Sequence, residues 1–310
     1  MQRQDLSFPS GKDHCEAWLY LPDAPAGPRP CVVIAHGIGA IRQVRLQHYA
    51  ERFTQAGYAV LTFDYRHWGA SSGTPRYLCA IGKQHEDIEA AIECAKSRPE
   101  IDAGRVFLFG TSFGGGHALV VGSRRPDLAG VISQCSVTDG LAVAMGTPLR
   151  QLLQWLPVAL VDQFRGWFGM SPRYIKLAGE PGELALMTKL GAEKSYHAMI
   201  DEPSPWMNLV AARLTLWPLY RPIRHASRIA PPLLMVVCDR DEICPATIAA
   251  KAARLAPRGQ AVHFDSSHFE IYFGELFNRA TATMIDFMGT STGHASAADQ
   301  LASNGQLRAA

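Results

Sequence analysis

Short apolar runs recur along the chain, separated by longer mixed segments. They are CVVIA at 31–35, AVLTFD at 59–64, VFLFG at 106–110, GVISQC at 130–135, LLMVVC at 233–238 and AVHF at 261–264. Runs of this kind do not alternate with polar residues, which suits strands covered on both faces. A further strand is expected at 14–21, after a Pro-Ser-Gly-Lys turn at 9–12. Between the runs lie helical patterns. In 84–97 the residues Ile88, Ala91, Ile92 and Ala95 fall at i, i+3, i+4 and i+7, one stripe of a helix, and Arg98-Pro99 stops it. Residues 49–56, 113–124 and about 274–287 read the same way. Strand and helix in alternation predict an α/β fold, a mostly parallel sheet with helices on both faces.

The alternation breaks between about 139 and 228. This stretch is apolar, mostly helical in pattern, and carries Trp155, Trp167, Trp206 and Trp217. It reads as a helical cap inserted over the strand ends. Most of its tryptophans are expected to be packing core, with some lining an apolar pocket. Residues 290–310 are small and polar and are expected to form a flexible tail, which leaves one domain over 1–289.

Bulk composition narrows the functional class. With 310 residues, 47% of them hydrophobic, the chain can bury a large core. Thirty basic residues against twenty-eight acidic give a net charge of +2, with the basic residues scattered. That is not the clustered footprint of a nucleic-acid binder. The seven cysteines show no CxxC spacing, and Cys31, Cys135 and Cys238 lie in apolar runs, so neither a disulfide framework nor a zinc site is expected. The first residues carry charge and no apolar core, and no apolar run reaches the roughly 18 residues that span a bilayer. The expectation is a soluble cytoplasmic protein with no membrane contact, and the sequence is compatible with a homo-oligomer.

The chemistry concentrates at Gly110-Thr111-Ser112-Phe113-Gly114, a G-x-S-x-G pentapeptide. Its context is a strand before it and a glycine-rich helix after it. The turn between them must be sharp, so its neighbours must be small. Ser112 would then project from the sheet edge at a helix N-terminus, where the positive end of the helix dipole favours a developing oxyanion. A serine nucleophile needs a base, and the base needs an orienting acid. Asp239 and Asp241 compete for the acid, in the loop after LLMVVC. Asp241 lies past the strand end, where a loop can aim it, and is preferred; Asp239 at the strand edge suits a turn anchor. His268, between the last strand and the last helix, is the preferred base. His117 sits in the helix after Ser112 and points away, and His36 is expected to brace a loop. Two backbone amides should receive the oxyanion: Phe113, next to the nucleophile, and Ile38 in His36-Gly37-Ile38-Gly39.

Taken in order, HGIG at 36–39, FDYRHWGASSG at 63–73, GTSFGGGHA at 110–118, CDRDEICP at 238–245 and SSHFEIYFGELF at 266–277 resemble a member of the α/β-hydrolase superfamily. The resemblance spans about residues 6–288 and includes the turn residues Asp64, Arg66, Gly69 and Ser71. More narrowly, the chain is similar to X-Pro dipeptidyl-peptidase-like and dienelactone-hydrolase-like hydrolases, some of whose fungal relatives are polyketide transferases. The sequence departs from the pattern at Cys238, where a glycine is usual, and at the aromatic Phe113. The resemblance implies a serine hydrolase acting on a small-molecule ester or thioester, with no metal or organic cofactor, and the apolar cap suggests a hydrophobic acyl group or aromatic ester. An acyltransferase and a peptidase remain alternatives.

Overall fold

The computed structural model describes residues 1–23, 27–201, 203–213 and 217–291. Eight strands form one sheet. They are β1 (Gln2–Ser10), β2 (Asp13–Leu21), β3 (Arg29–Ala35), β4 (Ala59–Phe63), β5 (Ile101–Thr111), β6 (Gly130–Gln134), β10 (Leu233–Cys238) and β11 (Gly259–Phe264), in the order β1-β2-β4-β3-β5-β6-β10-β11. From β4 to β11 every pairing is parallel, while β1 and β2 add an antiparallel edge. The central strands β4, β6 and β10 are buried at every residue, as unbroken apolar runs require. β1 was not expected from its sequence: QRQDLSFPS lies at the edge, half exposed, and Phe8 is its one buried large apolar residue.

Helices α1 (Leu46–Gln55), α2 (Ile81–Lys96), α3 (Phe113–Gly122), α7 (Ala246–Leu255) and α8 (Gly274–Ser291) flank the sheet. α3 is buried all round, so its sequence FGGGHALVVG has no polar face. Its glycines let it lie close against β5 and β6. α8 extends through Thr290 and Ser291, which moves the expected start of the tail; residues 292–310 lie outside the described residues.

The excursion between β6 and β10 holds α4 (Gly140–Met145), α5 (Leu149–Trp167) and α6 (Ala192–Ala198). It also holds β7 (Tyr174–Ala178), β8 (Ala185–Met187) and β9 (Val210–Ala211), which form a second, three-stranded sheet in the order β8-β7-β9. Beside the expected helices, the excursion thus carries strands that the sequence did not announce; they are two to five residues long, too short for a period-two pattern to declare them. Asp162 organises its interior. The buried carboxylate accepts the Arg173 amide at 2.6 Å and the Arg213 guanidinium at 3.2 Å. The two roots of the excursion meet at Asp139. Its carboxylate caps α4 at the Leu141 amide (3.0 Å) and accepts two hydrogen bonds from Arg221 Nε and one from Nη2, at 2.7–3.0 Å. Trp155 is buried, in keeping with a packing role, but Trp167 is 73% exposed. The Trp217 side chain lies outside the described residues.

No described helix is long and apolar enough to cross a membrane. All seven cysteines are free thiols, six of them buried.

Candidate active site

β5 runs into α3 through one residue, Ser112, held at φ 55° and ψ −119°. Few side-chain-bearing residues adopt this backbone, and the surroundings fix it. The Ser112 amide donates to Gln134 O (2.9 Å), and its carbonyl accepts from Val137 N (3.0 Å). A Cβ on Gly110 would strike the backbone of Gly114, and one on Gly114 would strike that of Ala35 and His36. The two glycines of the pentapeptide are thus steric requirements of the turn.

His268 lies on the loop after β11, 4% exposed. Its Nε2 stands 3.1 Å from Ser112 Oγ, and its Nδ1 stands 2.7 Å from Asp241 Oδ2. The other oxygen of Asp241 accepts the amides of Ile243 (2.8 Å) and Cys244 (2.7 Å), which locks the carboxylate in place. A carboxylate only accepts, so Nδ1 carries the proton and Nε2 presents a lone pair to the serine hydroxyl. Burial disfavours the imidazolium, but the charge and hydrogen bond of the Asp241 carboxylate, together with the nearby Cys135 and Cys244 sulfurs, outweigh it and hold the His268 pKa well above the usual 6.5. Asp239 takes no part. It is exposed, and its carboxylate meets His263 Nδ1 at 2.7 Å.

Ile38, Ser112 and Phe113 line one cavity that opens to solvent. Neither the Ile38 nor the Phe113 amide finds an acceptor among the described residues. Val143, Leu152, Trp155 and Leu186 of the excursion form the opposite wall. On the His268 side a second pocket is bounded by Lys189, Lys194, Ser195, Glu242 and Ser267.

His36 braces the first loop. Its Nδ1 donates to Gly37 O at 2.9 Å, its ring meets Tyr65 edge-on at 4.3 Å, and burial pushes its pKa down to about 4. His117 faces away from Ser112, to Tyr220 OH (2.7 Å) and Gln84 Oε1 (3.0 Å), with its ring against Phe113.

Two residues of this site were not found from the sequence. Tyr196 OH donates to Ile38 O at 2.9 Å, and Trp206 Nε1 donates to Gly39 O at 2.8 Å. Their rings stack on each other at 5.0 Å. The excursion thus holds the Ile38 loop from above. Trp206 stood out in the sequence only as an apolar residue, and nothing there pointed to its N–H.

Asp241, Cys244 and His268 also have donor atoms within 4.8 Å of one another, the spacing a metal ion would need. The carboxylate and imidazole are occupied with each other, and burial pushes the Cys244 thiol up to about 12, away from the thiolate a metal takes.

Residues 26–203 match the family model described as Hydrolase_4, serine aminopeptidase, S33. The chain belongs to this α/β-hydrolase family. The quorum-quenching protein AidA of Acinetobacter baumannii is 41% identical over 285 residues, covering 92% of this chain and 93% of that protein. The polyketide transferase ATR5 of Stachybotrys chlorohalonatus is 28% identical, covering 78% and 80%. Among solved structures, the α/β hydrolase GrgF from Penicillium sp. sh18 superposes with a TM-score of 0.78 at 22% identity, over 94% of this chain and 99% of that one. The α/β-hydrolase fold and fungal polyketide-transferase relatives were both expected from the ordered motifs.

Proposed function

We propose that this α/β hydrolase cleaves a carboxylic ester or thioester through an acyl-enzyme on Ser112. The observation that carries the reading is the continuous hydrogen-bonded chain from Ser112 Oγ through His268 to Asp241. His268 Nε2 takes the hydroxyl proton as Oγ attacks the carbonyl carbon. Asp241 holds the tautomer and stabilises the imidazolium that forms. The Ile38 and Phe113 amides receive the oxyanion at the N-terminus of α3. His268 then gives its proton to the departing alcohol or thiol, which leaves on the side of the Lys189–Glu242 pocket. Water attacks the acyl-enzyme with His268 again as base.

The apolar wall of Val143, Leu152, Trp155 and Leu186 supports a hydrophobic acyl group. Acyl transfer to an alcohol or amine is the second reading, favoured by the polyketide transferase among the relatives. It uses the same three residues and differs in what reaches the acyl-enzyme. Ser112→Ala should abolish turnover of p-nitrophenyl esters and labelling by a fluorophosphonate. Labelling that persists at another residue refutes the assignment. Product analysis with and without added alcohols separates hydrolysis from transfer.

A further inference from the structure

α5 has two apolar faces. The inner one carries Leu152 and Trp155, which wall the cavity over Ser112. The outer one carries Leu149, Leu153, Leu156, Leu160, Phe164 and Trp167, all exposed, in steps of four, three, four, four and three residues. That spacing is a single stripe along a helix of 19 residues, roughly 28 Å long. Phe168 extends it, 68% exposed. Between Leu153 and Phe168 every exposed position is apolar.

The size of this surface bears on what covers it. Three aromatic side chains, each more than half exposed, present roughly 400 Å² by themselves. With the leucines and Met145 the patch is on the order of 1,000 Å², beyond the ~300–600 Å² of the largest patch on a typical monomer. A standard protein–protein interface needs about 800 Å² from each partner.

The pattern also bears on the partner. The N-terminal half of the stripe is leucine and the C-terminal half is aromatic. Two copies laid antiparallel would set Leu149 and Leu153 of one against Phe164 and Trp167 of the other, so large residues meet small ones along the whole seam. Arg150, exposed beside the N-terminal leucines, would then approach the aromatic end of the other copy, where a guanidinium can stack on a ring. A helix lying on a lipid surface would instead be flanked by several basic residues. Within α5 the basic residues are Arg150 and Arg165 alone, and Arg165 already donates twice to Ser171 O, at 3.0–3.1 Å.

We propose that the outer face of α5 is the contact surface of a homodimer, with the two helices antiparallel across a two-fold axis near Leu156 and Leu160. The dimer would cover the outer side of the helix whose inner side walls the cavity, bracing that wall from behind.

The test is the molar mass of the full chain by light scattering after size exclusion, from low to high micromolar concentration. Twice 33.9 kDa is expected. Leu156→Glu with Leu160→Glu should shift the mass to one chain, with the circular dichroism spectrum unchanged. Because a doubly charged variant could lose α5, an equimolar mixture of Leu156→Cys and Leu160→Cys chains provides the second readout. Mild oxidation should link residue 156 of one copy to residue 160 of the other, located by peptide mass spectrometry. A single-chain mass at every concentration overturns the proposal. So does a dimer that survives both glutamates, or a monomer that sediments with phosphatidylcholine–phosphatidylglycerol vesicles.

Discussion

The hydrogen bond from Trp206 to Gly39 gives a sharp handle on how the excursion serves catalysis. Trp206→Phe removes the donor that meets Gly39 O at 2.8 Å and keeps most of the ring that stacks on Tyr196. A hydrogen bond of this kind contributes about 1 kcal/mol net, and its loss leaves a carbonyl without its partner. If that free energy holds the Ile38 amide where the oxyanion forms, kcat falls about fivefold to tenfold. Tyr196→Phe frees Ile38 O in the same way. The two bonds hold adjacent residues, so the double variant should lose on the order of 100-fold, approaching the ~10²–10³ that removing an oxyanion donor costs. The assay is kcat and KM on a p-nitrophenyl ester, with the fluorophosphonate labelling rate alongside. KM should stay within about twofold, because the apolar wall is untouched, and labelling should slow in parallel with kcat. A thermal melt checks folding; about 1 kcal/mol corresponds to a shift of ~2–4 °C. A double variant with a lowered melting temperature and unchanged kcat would refute the reasoning. It would mean that these contacts stabilise the excursion without positioning the amide.

Asp241→Asn should lower kcat by roughly 10⁴-fold by allowing the wrong imidazole tautomer, while Asp239→Asn should leave it within about twofold; equal losses in the two would overturn the choice of acid. In the wild type kcat/KM should rise with pH through a midpoint above 6.5, because Asp241 favours the imidazolium and that form cannot accept the serine proton. The midpoint should fall in Asp241→Asn, read from a pH–rate profile on the residual activity. Acid should destabilise the fold. His36 and His85 are buried neutral, with pKa values pushed down by burial to about 4 and about 3, below an unfolded value near 6.5. Their stabilisation is complete above 6.5 and is lost as the pH falls towards those values. His36 alone accounts for on the order of 3 kcal/mol at the bottom of that range. Urea midpoints at pH 7, 5.5 and 4.5 measure the slope, and a flat series would contradict the assignment.

The parts of the fold that were legible in the sequence are those where one physical demand dominates. β4, β6 and β10 are covered on both faces, so their apolar runs mark them almost to the residue. The elbow at Ser112 was legible because backbone crowding admits only glycine at 110 and 114. The order of Ser112, Asp241 and His268 follows from the same strand ends, and the structure brings the three side chains together. β1 was illegible because an edge strand needs little apolar content. The second sheet was illegible because β8 and β9 borrow their order from β7 rather than from their own residues. Tyr196 and Trp206 were illegible for a different reason. Their function lies in one N–H and one O–H aimed at carbonyls more than 150 residues away, and no local pattern encodes that direction. Trp167 misled in the opposite sense, since an apolar residue at helical spacing gives the same pattern whether it faces the core or the solvent.

The Asp139–Arg221 clasp has a consequence for how this chain can change over evolution. It closes the excursion into a loop whose ends lie one side-chain contact apart. The entropy of closing such a loop grows only with the logarithm of its length, about 0.6 kcal/mol per doubling. Lineages can therefore lengthen, shorten or rebuild everything between those two residues and leave the β6 and β10 ends undisturbed. New substrate ranges would then arise by exchange of a single continuous segment, with one condition on each replacement. It must still deliver two hydrogen-bond donors to the carbonyls of Ile38 and Gly39.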